Sequence, residues 1–154
     1  MTRLLTLLMI LGLLISPKAL YRHHDKALLP DLSVTPGVAT SLTKAQVCTT
    51  KWGLDERHVT PSMKSQVCLL YGLGPHCYGR DTNEIDHLIS RELGGADNDK
   101  NLWPQPYFQH PGAREKDAVE NWLHKQVCSN KMSLSEAQNR IATDWYAVYL
   151  EMTK

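Results

Sequence analysis

An α+β domain stabilised by disulfides is the fold this sequence predicts, on three observations. Residues 84–89 place Ile85 between Glu84 and Asp86, the alternation of a short strand with one wet face. Two later segments repeat their apolar residues at helical spacing, Val119, Trp122, Leu123 and Val127 in one and Leu134, Ala137, Ile141, Trp145, Val148 and Tyr149 in the other. The cysteines form an even set of 4 with no C-x-x-C pair, which argues against a zinc ribbon and for cross-links. At 154 residues and 42% hydrophobic content the chain suits one domain and not two.

Arg3 followed by the uncharged, Leu-rich run from Leu4 to Ile15 reads as a secretory signal within residues 1–19. As a helix this run rises about 18 Å, short of the ~30 Å apolar core of a bilayer. A permanent membrane span is therefore not expected once the signal is removed, with an uncleaved anchor as the alternative. The protein is expected to be exported, to a periplasm or the exterior. Residues 20–43 hold Pro30, Pro36 and the pair His23-His24 with little periodicity, and read as a linker or an arm over the surface of a domain spanning 44–154.

Val47, Cys48 and Trp52 bring a half-cystine toward the core. Thr60-Pro61 starts a helix as N-cap and first helical residue, Met63, Val67, Leu70 and Tyr71 recur along it, and Gly72 stops it. His58 and His76 stand in polar or turn contexts and read as surface residues. The segment from Ala113 is the next helix. Ser133-Leu134-Ser135-Glu136 is a capping box that opens the last one, running to about Leu150.

Export makes two disulfides among Cys48, Cys68, Cys77 and Cys128 the expectation, with buried free thiols as the alternative. Four cysteines allow three connectivities, and spacing does not choose among them. Formal charge is +1, and losing residues 1–19 removes Arg3 and Lys18, leaving 15 basic against 16 acidic residues. A strongly basic nucleic-acid-binding surface is thereby excluded. Any such contact must be local and weak.

The stretch Glu84-Ile85-Asp86-His87-Leu88-Ile89-Ser90-Arg91-Glu92-Leu93-Gly94-Gly95 carries the chemistry, together with Asn101-Leu102-Trp103-Pro104-Gln105-Pro106 and Ala113-Arg114-Glu115-Lys116-Asp117. This D-H-L-I-x-x-E-L-G-G, N-L-W-P-Q-P, A-R-x-K-D order resembles the His-Asn-His (HNH) nucleases of the ββα-metal class, and more narrowly a small, mostly bacterial HNH-like family. The resemblance is close from Glu84 to Cys128 and looser from Thr35 to Trp145. It implies a ββα-metal core at about 83–128, with Leu102-Trp103 as the second strand, flanked by helices. It also implies the pair Cys48–Cys128, which leaves Cys68 with Cys77 in a short local loop.

The resemblance assigns roles as well. His87 is the implied general base, since an imidazole of pKa near ~6.5 is largely neutral at pH 7. Asp86 is the implied metal ligand, and Asn101 ties the loop and orients the base. Relatives place Asn before Ala-Arg-x-Lys-Asp as the further ligand, where this chain has Gly112. His110 is expected to substitute for it, with Glu115 as the alternative. An oxygen-rich site favours Mg or Mn, and His110 would make Zn, Ni or Co more acceptable. Arg91, Lys100, Arg114, Lys116 and Lys125 are candidate phosphate contacts, against ordinary surface pairing. Glu84 reads as a solvated edge carboxylate, Glu92 as a structural link, and Trp103 with residues 104–107 as packing. The expected function is metal-dependent hydrolysis of phosphodiester bonds in DNA or RNA with low sequence specificity. The alternative is a catalytically silent exported module acting by binding or as an effector.

Overall fold

The computed structural model describes residues 29–107 and 109–154, so the signal segment expected at 1–19 and the pair His23-His24 lie outside the described residues. Thr43 caps the short helix α1 (Lys44–Thr49) in a reciprocal arrangement with Gln46, whose side-chain oxygen accepts from the Thr43 N–H at 2.9 Å. Helix α2 (Pro61–Leu70) starts where Thr60 and Pro61 predict, the Thr60 hydroxyl accepting from the Met63 N–H at 3.2 Å. Gly72 follows it at φ 68°, a left-handed conformation that glycine adopts without a Cβ penalty.

Strand β1 (Asn83–His87) pairs antiparallel with β2 (Leu102–Pro106), with Asp86 opposite Trp103 and His87 opposite Leu102. The expected first strand is shorter than 84–89 because Asn101 intervenes. Its carbonyl accepts from the Leu88 N–H at 2.7 Å and its side chain takes over both backbone groups of Ile89. The second strand is longer than Leu102-Trp103. Pro104 and Pro106 are tolerated in it because a two-stranded sheet has only edges.

Between the strands the chain makes two 3-10 turns, Arg91–Leu93 and Asp99–Asn101. Gly94, at φ 78°, ends the first. Gly95 lies so close to Ile89 that a Cβ would fall 1.7 Å from its carbonyl oxygen, so this loop shape requires glycine there. Helix α3 (Ala113–Cys128) and helix α4 (Leu134–Met152) follow, and Ser133 caps the second through the Glu136 N–H. Asp144 departs from helical geometry inside α4, and its carboxylate caps the resumed helix at the Ala147 N–H, 2.8 Å away.

Leu93 from the interstrand loop, Val119, Leu123 and Val127 of α3, and Ile141, Trp145 and Val148 of α4 form one core. Each such side chain contributes about 1.5–3 kcal/mol by leaving water. A second cluster joins Val67 and Cys68 of α2 to Ile85 and Leu102 of the sheet. The result is a mixed α+β arrangement, and no described helix is long and apolar enough to cross a membrane. The described part of the expected arm is bonded into the body. Thr35, fully buried, donates to the Leu102 carbonyl at 3.0 Å, and Ala39 bridges to Gly95.

Both disulfides are present, Cys48–Cys128 joining α1 to the end of α3 with Cα atoms 5.5 Å apart, and Cys68–Cys77 with Cα atoms 5.6 Å apart. Sequence separations of 80 and 9 differ enough to rank them, because a longer closed loop restricts the unfolded chain more. Replacing Cys48 and Cys128 together with Ser is expected to cost about 4.5 kcal/mol, and replacing Cys68 and Cys77 about 2.6 kcal/mol. Urea unfolding of the two double variants checks both the size and the order.

Candidate active site

The end of β1 places two adjacent side chains at one cavity. In a regular strand Asp86 and His87 would face opposite sides, but here the strand terminates at His87 and both line a cavity of about 160 Å³. Trp52, Gly53, Asp55, Ser90, Arg91, Glu92 and Glu120 complete its wall. The imidazole is nearly buried, and its Nε2 lies 2.7 Å from Asp97 Oδ1. Burial pushes the Asp97 carboxyl up, but the His58 N–H and the His87 ring outweigh that and hold it below its ordinary value. An ionised carboxylate only accepts, so Nε2 carries the proton and the ring's lone pair is on Nδ1. Burial also lowers the His87 pKa, with the neighbouring Asp86 charge opposing, which keeps the ring neutral at pH 7.

Behind the cavity stands a buried ion cluster. Lys116 is fully buried, and its ammonium donates to Asp86 Oδ2 at 2.7 Å, to the His87 carbonyl at 2.6 Å, and to Glu120. Burial opposes its charge, but Asp86 and Glu120 together raise its pKa above the ordinary lysine value. For Asp86, burial is the largest single influence and pushes up, but the Lys116 ammonium and His87 together outweigh it and leave the pKa lowered. Glu120 has the opposite balance, since burial outweighs Lys116 and raises it to about 7. One cation thus holds Asp86 ionised while Glu120 carries a proton part of the time at neutral pH.

Lys116 was expected among the phosphate contacts, and the structure corrects this: an ammonium with no exposed surface and three internal acceptors cannot meet a phosphate. Arg91 is committed too, pairing with Asp55 and donating to the Glu56 carbonyl at 2.7 Å. Lys100 and Arg114 are exposed. Asn101 is fully buried and uses its whole amide internally. Its oxygen accepts from the Ile89 N–H at 2.9 Å and the Val38 N–H at 3.3 Å, and its nitrogen donates to the carbonyls of Ile89 and Ala96, each at 3.0 Å. Its amide therefore ties the interstrand loop to Val38, and it does not line the cavity.

The structure does not bring His110 to Asp86. Its ring is 70% exposed, lies outside the cavity wall, and pairs with Glu115 at 3.1 Å. Glu115 in turn accepts from the Gly112 N–H at 2.7 Å and so serves the start of α3. An Asn would have no room at 112, where a Cβ would fall 2.1 Å from the Gln109 carbonyl oxygen. The one group of three metal-capable side chains within 4.8 Å of each other among the described residues is Cys48, His124 and Cys128. Its sulfurs are bonded to each other, and a disulfide lacks the thiolates that bind zinc. The donors facing the main cavity are instead Asp86, Glu92 and Glu120, with Asp55 paired to Arg91. Carboxylate oxygens are hard ligands, but these three do not gather within 4.8 Å of one another as a ligand group.

Asp97 and Glu120 escaped the sequence reading. Glu120 stands four residues after Lys116, a helical pairing distance that marks an ion pair but not its burial. Asp97 lies in a loop, and nothing in its local sequence points to His87. No family model matches the chain, and neither a curated protein nor a solved structure is significantly similar to it.

Proposed function

We propose that this protein is a divalent-metal-dependent endonuclease of the ββα-metal type, hydrolysing phosphodiester bonds in DNA or RNA with low sequence specificity after export. The observation that carries the reading is the neutral His87, fixed by Asp97 and set beside Asp86 at a shared cavity. In this proposal β1, β2 and α3 form the catalytic core. His87 accepts a proton from the attacking water at Nδ1, and Asp97 steadies the imidazolium that forms. Asn101 holds the loop so that the ring keeps its aim. Asp86 and Glu120 would hold the cation, whose chemistry is to absorb charge on the phosphate and the leaving oxygen. The leaving oxygen takes its proton from solvent water, which balances the proton that His87 receives.

Purified, oxidised protein incubated with plasmid DNA and with RNA, in Mg, in Mn or in chelator, tests this directly. Cleavage that needs the metal is the expected result. No cleavage under any metal would leave the silent binding module, which the occupation of Asp86 by Lys116 favours. The pH profile is a second expectation. A base whose pKa is lowered is fully competent above its ordinary range, so kcat/KM should rise with pH through a midpoint below ~6.5 and stay flat through neutrality. A midpoint above ~7 would remove His87 from the role of base.

A further inference from the structure

Beyond the catalytic cavity, the opposite stretch of β1 borders a larger one, of about 320 Å³, whose wall is basic and aromatic. Glu84 and Ile85 form its floor, where Asp86 and His87 form that of the first cavity. The segment before α2 borders both, with Gly53 and Asp55 at the first and Arg57 at the second. Arg57 is anchored there by its Nη2, which donates to the Ile85 carbonyl at 2.6 Å. Lys64 reaches in from α2 with its ammonium 5.4 Å from the centre of the Tyr78 ring, and Arg80 stands beside them. Three cations against Glu84 make this a local positive patch on a chain whose formal charge is only +1.

We propose that this groove binds single-stranded nucleic acid, with phosphates on Arg57, Lys64 and Arg80 and a base stacked at Tyr78, and leads the strand along β1 to His87. The last step rests on the nuclease reading, whereas the binding does not. The pairing of cations with an aromatic ring is what selects a single strand. Phosphate contacts alone serve any nucleic acid, but a stacking face is useful only to a base already out of a duplex. Lys64 and Tyr78 are in contact, so a phosphate held by one brings its adjoining base within reach of the other. Glu84 belongs to the same logic. It lines the same groove as Arg57 and offsets that residue's charge, which opposes a phosphate there.

The test is fluorescence anisotropy of a labelled oligodeoxythymidine of about 12 nucleotides, in chelator and at about 50 mM salt, so that binding is read without cleavage. Wild type should bind it more tightly than a duplex of equal length. Replacing Arg57 and Arg80 together with Ala should weaken binding at least about tenfold and flatten the salt dependence by about 1.4 in log–log slope. Tyr78→Ala should cost about tenfold with the slope unchanged, and Tyr78→Phe should retain affinity. Glu84→Gln should bind about two- to threefold more tightly, a gain that a merely damaged fold does not give. The proposal is overturned if wild type fails to bind, if duplex binds as well as single strand, or if Tyr78→Ala has no effect. Binding without cleavage in any metal would sustain the groove while removing the nuclease.

Discussion

His87→Ala is expected to reduce metal-dependent cleavage by about 10²–10⁴-fold, the usual worth of a positioned general base. Three features make the loss specific to chemistry. The ring is neutral because burial lowers its pKa, its Nε2 proton is held by Asp97, and its neighbour Asp86 faces the same cavity. Asp97→Asn should lower cleavage less, since an amide can still accept from Nε2 through its oxygen but gives no charge to the imidazolium. Supercoiled-plasmid nicking at fixed metal, beside thermal melts of each variant, separates lost chemistry from lost fold. Full activity in His87→Ala would dismiss the proposed mechanism even if the protein cuts DNA.

Lys116→Met should cost about 3–5 kcal/mol of stability, because it leaves Asp86 and Glu120 facing one another without the buried cation between them. The sign of its pH dependence follows from the same cluster. In the wild type, burial is outweighed by Lys116 and Asp86 has a lowered pKa, so its contribution is present above its ordinary range and fades as pH falls. Without the ammonium, burial and the Glu120 charge push Asp86 up against its contacts with His87 alone, its pKa rises, and its contribution is lost as pH climbs. The deficit of Lys116→Met should therefore be greatest near pH 8 and shrink toward pH 4. Adding Asp86→Asn and Glu120→Gln should recover much of it. Urea titrations across that range decide the matter. A change within about 0.5 kcal/mol at every pH would return Lys116 to the surface role its sequence suggested.

The cluster also bears on how the candidate site differs from its expected form. By its sequence, the further ligand was expected at the start of α3, at His110 or Glu115. The structure commits those two to each other and to the Gly112 N–H, and turns the next residue, Lys116, toward Asp86 and toward Glu120 one turn further along the helix. A helix start and a helix interior only a few residues apart face different directions. Local pattern alone could not say which face of α3 meets the end of β1.

Much of the fold was written locally. Thr60-Pro61, Ser133 to Glu136, and the apolar stripes of α3 and α4 are short-range patterns, and each helix begins and packs as they predict. Alternation around Ile85 marked β1, and the adjacent Asp86 and His87 line one cavity at its end. Tertiary structure decided the rest. It brought Asp97 to His87, buried Lys116 between two carboxylates, kept His110 away, and gathered Arg57, Lys64 and Tyr78 into a groove. Capping and periodicity act over a few residues and are legible in sequence. Partnership across loops depends on how elements pack, and a charge shows its role only once its surroundings set its exposure and its pKa.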